Sequence, residues 1–171
     1  MSLQHAIDNL KEFGKELGLN DLEFDENNTC ILGIDDAFSM HLTYEPNTDR
    51  LYLYSPLLDG LPKDDKIKLK LYEKLLEGSM LGGQMAGGGV GVAVQEELIL
   101  IHCTIDMAHA ISSALRAFAP LFVETVEKWR KIVNDVIEGR EESDSKDGKQ
   151  KGSAPMPGKP GMGGPGGFIR I

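Results

Sequence analysis

Apolar residues recur every three or four positions near the start of the chain: Leu3, Ala6, Ile7, Leu10, Phe13 and Leu17. Asp8, Lys11, Glu12, Lys15 and Glu16 fill much of the other side. This period predicts a first helix with one buried face. Ser2 suits its N-cap and Gly18 its stop. The period then changes to two. Phe38, Met40, Leu42 and Tyr44 alternate with Ser39, His41, Thr43 and Glu45, as in a strand with one buried and one wet face. Ahead of it, residues 24–34 hold two short apolar pieces around Asp25-Glu26-Asn27-Asn28, and Asp35-Asp36 makes a tight turn. Residues 45–49 then turn the chain into Leu51-Tyr52-Leu53-Tyr54. Loops this short imply an antiparallel meander.

A second helix opens after Pro62, with Asp64 or Asp65 as cap and Ile67, Leu71, Leu75 and Leu76 as its apolar stripe. Residues 82–91 are rich in glycine and read as a flexible connection in which Cβ-free residues allow close approach. Val90, Val92 and Val94 alternate into a fourth strand. Residues 98–105 form a continuous apolar run, as in a strand covered on both sides. Asp106 is positioned to cap a last helix with a stripe of Ile111, Leu115, Phe118, Phe122, Val126, Trp129 and Val133. Pro120 lies inside that stripe and predicts a kink or two shorter helices. The order α-β-β-β-α-β-β-α lacks simple βαβ alternation, so the fold class is α+β.

Composition separates a body from a tail. Residues 139–171 contain 9 of the 20 glycines and 4 of the 8 prolines, with few large apolar residues. Such a segment buries too little surface to offset its ordering entropy and is expected to be disordered. Its final Phe168-Ile169-Arg170-Ile171 is either a frayed end or a short docking peptide. Residues 1–138 form the expected domain. They carry 12 basic and 23 acidic residues, a net −11, within a chain total of −9. That balance argues against a protein that tracks nucleic-acid phosphates. No apolar run reaches the roughly 18–20 residues of a membrane span. The first residues lack the layout of a signal peptide, so a cytosolic protein without membrane insertion is expected.

The residues offer little catalytic chemistry. Cys30 and Cys103 lie in apolar runs and are expected to be buried thiols. The histidines, His5, His41, His102 and His109, show no ligand spacing. The glycine run has neither GxxxxGK[ST] nor GxGxxG spacing and leads into a strand, unlike a phosphate cradle. No cofactor and no metal are expected. Apolar side chains are abundant for so short a body. A single sheet with helices on one side leaves a face and two edges to cover, which suits a second copy or an extended peptide.

Four local runs in this order resemble the Tir-chaperone (CesT-like) family of type III secretion chaperones. They are residues 51–62 (LYLYSPLLDGLP), residues 71–80 (LYEKLLEGSM), the glycine turn with residues 87–94, and the terminal helix from Phe118 to Trp129-Arg130. The run from Gly78 through Val92 is similar to the chlamydial multi-cargo branch. Ser79 stands where the family often has Asn. The resemblance implies a non-enzymatic bacterial cytoplasmic homodimer that holds the N-terminal segments of effector proteins extended and presents them to the secretion machinery, with the secretion ATPase as a further candidate partner. By the same analogy, Phe13, Leu17, Leu22, Phe24, Ile31, Ile34, Phe38, Leu42 and Tyr44 build effector grooves. Leu75, Met80, Val90, Val92, Val94 and Leu100 build the dimer contact. The competing readings are an adaptor homodimer that docks a folded partner and a small nucleotide-binding enzyme using the glycine run.

Overall fold

The computed structural model describes residues 2–140. The expected tail beyond residue 140 lies outside the described residues. Eight main elements follow one another: α1 (Ser2–Leu17), β1 (Thr29–Ile34), β2 (Phe38–Glu45), β3 (Arg50–Asp59), α2 (Asp65–Ser79), β4 (Gly89–Ala93), β5 (Leu98–Asp106) and α3 (Ala114–Ile137). A single 3-10 turn, Met80–Gly82, follows α2. The five strands make one antiparallel sheet in the order β1-β2-β3-β5-β4, with β1 and β4 at its edges.

One face of the sheet is buried under the helices. Cys30, Leu42, Leu53 and Cys103 sit side by side across four strands, and Met40, Leu51, Leu57, Ile99 and Ile101 share their burial. α3 lies on β3 and β5, α1 packs on α3, and α2 packs on α3 and β4. The other face carries Ile31, His41, Thr43, Tyr52, Tyr54, His102 and Thr104, and no described helix covers it. Residues of β5 alternate buried and partly exposed, so this strand is covered on one face rather than the two its apolar run suggested. β3 runs through Pro56 to Asp59, beyond the Leu51-to-Tyr54 piece read from alternation. An irregularity between Pro56 and Leu58 absorbs the residue that lacks an N–H.

Local chemistry explains most boundaries. Gly18 ends α1 at φ +71, and Leu19 N–H reaches back to the Gly14 carbonyl at 2.8 Å. Asp35 and Asp36, both at positive φ, turn β1 into β2. The Asp64 carboxylate caps α2 by accepting from the amides of Lys66 and Ile67. Gly139 at φ +68 and Arg140 close α3, so these two residues belong to the body.

The start of α3 differs from the sequence reading. Asp106 caps a local turn instead, accepting from Ala108 N–H at 2.9 Å and facing His109 at 3.2 Å. The helix begins eight residues later and runs through Pro120 as one element. Ile111 therefore lies outside the helix and is exposed. Ser113 at the N-cap position makes no side-chain capping bond. Asn9 of α1 does that work from across the fold. Its fully buried amide accepts from Leu115 N–H at 2.9 Å and donates to the Ile111 carbonyl at 3.0 Å. Asn9→Ala removes both bonds and orphans two backbone groups, so a loss of about 2–4 kcal/mol in urea unfolding is expected.

Candidate functional site

The glycine run is a packed turn in which the expected close approach is made, with backbone of Gly87 and His102 lying against Gly82 and Gly88. Leu81 at φ +54 and Ala86 at φ +51 bend the chain, and Gly87 N–H donates to the Gly82 carbonyl at 3.0 Å. Met85 is fully buried inside the turn. Trp129 donates its indole N–H to the Gln84 carbonyl at 2.8 Å, which ties the turn to α3. A Cβ on Gly78 would stand 2.2 Å from the Trp129 ring. Met80 and Leu81 are left pointing outward, Leu81 at 91% exposure.

β1 is an open edge with a definite pattern. Tyr44 N–H donates to the Asn28 carbonyl. In an antiparallel ladder this parity gives Cys30, Leu32 and Ile34 the bonds to β2 and turns the backbone groups of Thr29, Ile31 and Gly33 outward. Thr29 is satisfied by the turn before it: its N–H donates to the Asp25 carboxylate and its carbonyl accepts from Asp25 N–H, both at 2.9 Å. Ile31 and Gly33 are left presenting N–H and C=O to the side of the sheet. The Ile31 side chain is 59% exposed, and nothing stands within 4 Å of where a Gly33 Cβ would be. At the Thr29 end lies a groove of about 250 Å³ lined by Ile7, Leu10, Lys11, Leu22, Glu23 and Phe24. Acidic residues stand at both ends of the edge, Asp25 and Glu26 before it and Asp35 and Asp36 after it.

Six of the nine residues expected in effector grooves reach the surface here. Leu17 is exposed, Leu22 and Phe24 line the groove, and Ile31 stands on the edge. Ile34 and Phe38 are half-buried cross-strand partners. The Arg130 guanidinium lies 5.6 Å over the Phe38 ring and donates to the carbonyls of Pro56 and Ala37, which locks that corner to α3. Phe13, Leu42 and Tyr44 are buried in the core.

The residues expected at the dimer contact divide similarly. Leu75 is core. Val90 and Val92 stand opposite Ile101 and Ile99 on the helix-covered face, whereas Leu100 stands opposite Gly91 on the open face, so these three do not share a surface. Met80 and Val94 are exposed. Of the outer row of α2, sequence reasoning named only Met80 for this contact. Leu69, Leu76 and Met80, with half-buried Tyr72 between them, follow one another at helical spacing and join Leu81 beyond the helix. The signal was present: Leu76 is 66% exposed and belongs to this second row, not to the buried stripe. A further concavity of about 620 Å³ lies between the 83–87 turn and α3, lined among others by Phe118, Leu121, Glu124 and Lys128.

Titratable chemistry is sparse. Burial pushes the Cys103 thiol up to about 12 and raises Cys30 as well, helped there by Asp25. A raised thiol favours folding fully below its unfolded value near 9, and that contribution is lost as pH climbs toward 12. Both thiols are therefore expected to resist a thiol reagent in the native state at pH 8 and to react stoichiometrically in denaturant. On the open face, His41 stacks on Tyr54 at 4.9 Å and is lowered by burial; its ring accepts or donates at 2.9 Å to Ser39. Asp106 is lowered by its bond to His109 and by Ala108 N–H. Among the described residues no group of three or more His, Cys, Asp or Glu side chains is placed to hold a metal ion.

An antiparallel sheet with helices on one face, apolar grooves and an open edge defines a binding body. Residues 8–130 match the model of the Tir chaperone protein (CesT) family, and the chain belongs to that family. No curated protein matches it. Several solved structures share the fold. A chain of the HopA1–SchA chaperone–effector complex is 23% identical with a TM-score of 0.61, covering 74% of this chain and 94% of that one. A chain of the ExsC–ExsE complex is 17% identical with a TM-score of 0.63, over 76% and 94%. A chain from the Yersinia pestis type III secretion chaperone SycH in complex with a stable fragment of YscM2 is 17% identical with a TM-score of 0.55, over 72% and 98%.

Proposed function

We propose that this protein is a type III secretion chaperone of the bacterial cytoplasm. It binds the N-terminal segment of effector proteins in extended form and makes or breaks no covalent bond. The observation that carries this reading is the β1 edge: outward backbone groups at Ile31 and Gly33, an exposed apolar side chain, and an apolar groove at its Thr29 end. An extended segment gains backbone hydrogen bonds at such an edge and side-chain burial in the groove beside it. The family match supports it, as do the similar structures, two of which are described as a chaperone–effector complex and a secretion chaperone with a bound fragment.

The working unit is a homodimer. Leu69, Leu76, Met80 and Leu81 form an apolar row left exposed among the described residues. A second copy related by a two-fold axis covers it with the same residues. The net −11 of residues 1–138 keeps the grooves soluble while they await cargo. Co-expression with candidate effectors followed by limited proteolysis tests the assignment. A protected fragment near the effector's N-terminus, degraded rapidly in the absence of this protein, is the expected outcome. Recovery of an effector with its folded domain protected and its N-terminal segment cleaved would favour an adaptor instead.

A further inference from the structure

The chain carries its own candidate occupant for the β1 edge. We propose that Phe168, Ile169, Arg170 and Ile171 add to β1 of the same chain as a short strand, covering the edge until cargo displaces them. This deepens the cargo reading of that edge and rests on it.

Four observations point to this segment. The first is length. Thr29 is already bonded to the Asp25 turn, so only Ile31 and Gly33 offer outward backbone groups, and a strand of four residues satisfies both. The second is pattern. Phe168-Ile169-Arg170-Ile171 is the one stretch between residues 148 and 171 in which large apolar side chains cluster; Met156 and Met162 stand singly in a glycine- and proline-rich sequence. As a strand it puts Ile169 and Ile171 on one face and Phe168 and Arg170 on the other. Either pair finds apolar surface, at the exposed Ile31 side chain on the open face or over the helix-covered face.

The third is charge. Residues 148–171 contain Lys149, Lys151, Lys159 and Arg170 and no acid, a net +4, against −11 in residues 1–138. Acids flank β1 at both ends, in Asp25-Glu26 and Asp35-Asp36. The β4 edge has acids only beyond its far end, at Glu96 and Glu97. The fourth is reach. The 27 residues from 141 to 167 span at most about 90 Å. A body of this size has a radius of gyration of about 14 Å, so every part of β1 is accessible to the tether. Tethering also supplies an effective concentration on the order of millimolar, enough for a weak strand to compete with dilute cargo. The covered edge is in turn withheld from edge-to-edge aggregation.

Amide hydrogen exchange at Ile31 and Gly33, read by NMR on the full chain without cargo, tests the proposal. Both amides are expected to exchange at least tenfold faster in F168D/I169D than in the parent, and faster in R170E as well. These substitutions lie outside the described residues, and unchanged thermal unfolding confirms that the body is intact. A synthetic peptide of residues 160–171 added to F168D/I169D should restore the slow exchange. Equal rates in parent and variants, with no effect of the peptide, would overturn the inference. An effector segment recovered by co-purification separates the two claims when added to F168D/I169D. If it slows Ile31 and Gly33 and the peptide does not, the self-docking strand is wrong and the cargo edge stands. If only the peptide slows them, the cargo edge is wrong and the self-docking strand stands.

Discussion

Gly88→Ala is expected to lose at least about 3 kcal/mol of stability, because its new methyl group has no room that side-chain motion can make. The added Cβ would stand 1.8 Å from the His102 carbonyl oxygen and 2.8 Å from the Cys103 Cα, both backbone atoms of β5. The strand leading into β4 would have to move away from the sheet, taking with it the turn that Met85 and Trp129 anchor. Gly91→Ala, three residues on, is the control: nothing stands within 4 Å of its Cβ position, and its cost should be a few tenths of a kcal/mol at most. Urea unfolding of the pair checks both values. Equal stabilities would mean that the glycine turn is not packed as described.

Leu76→Glu is expected to convert the homodimer to monomers, weakening association by at least about 100-fold while leaving the fold intact. The side chain is 66% exposed on α2, so the monomer loses little. At a two-fold contact the change acts in both copies, removing two leucines and placing two carboxylates in an apolar interface. Analytical ultracentrifugation of parent and variant reads the result directly. A variant that remains dimeric would place the pairing surface elsewhere, with the β4 edge and Val94 the next to examine.

Much of the fold was legible because local chemistry and long-range packing agree. The α1 period, the Asp35-Asp36 turn, the β2 alternation and the Asp64 cap each state one structure twice, in pattern and in capping or turn residues. Asp106 misled because its carboxylate serves a turn as readily as a helix cap, and the true cap for α3 comes from Asn9, 106 residues away from Leu115. No local pattern announces such a partner. The glycine run was legible in part. Its composition signals both flexibility and close approach, and the close approach is what the fold uses: Gly82 and Gly88 lie against the backbone of Gly87 and His102.

The site was half legible for a related reason. Periodicity says which face a residue takes but not how deep it lies. Leu42 and Ile34 share the helix-covered face and both looked like groove residues, yet Leu42 is shielded in the second strand of the sheet and Ile34, on the edge strand, is only half-buried. Depth follows from strand order, and order depends on pairings that local patterns leave open. The same holds for Val92 and Leu100, both expected on one surface until their register places them on opposite faces.

The most direct test of the central claim is amide exchange along an effector's N-terminal segment, measured alone and bound to this protein. A segment added to the β1 edge turns every second N–H toward Ile31 and Gly33. Slow exchange at alternate residues over a stretch about one short strand long, in a segment that exchanges freely by itself, is the predicted result. Continuous protection in a helical run, or none in the segment at all, would contradict it.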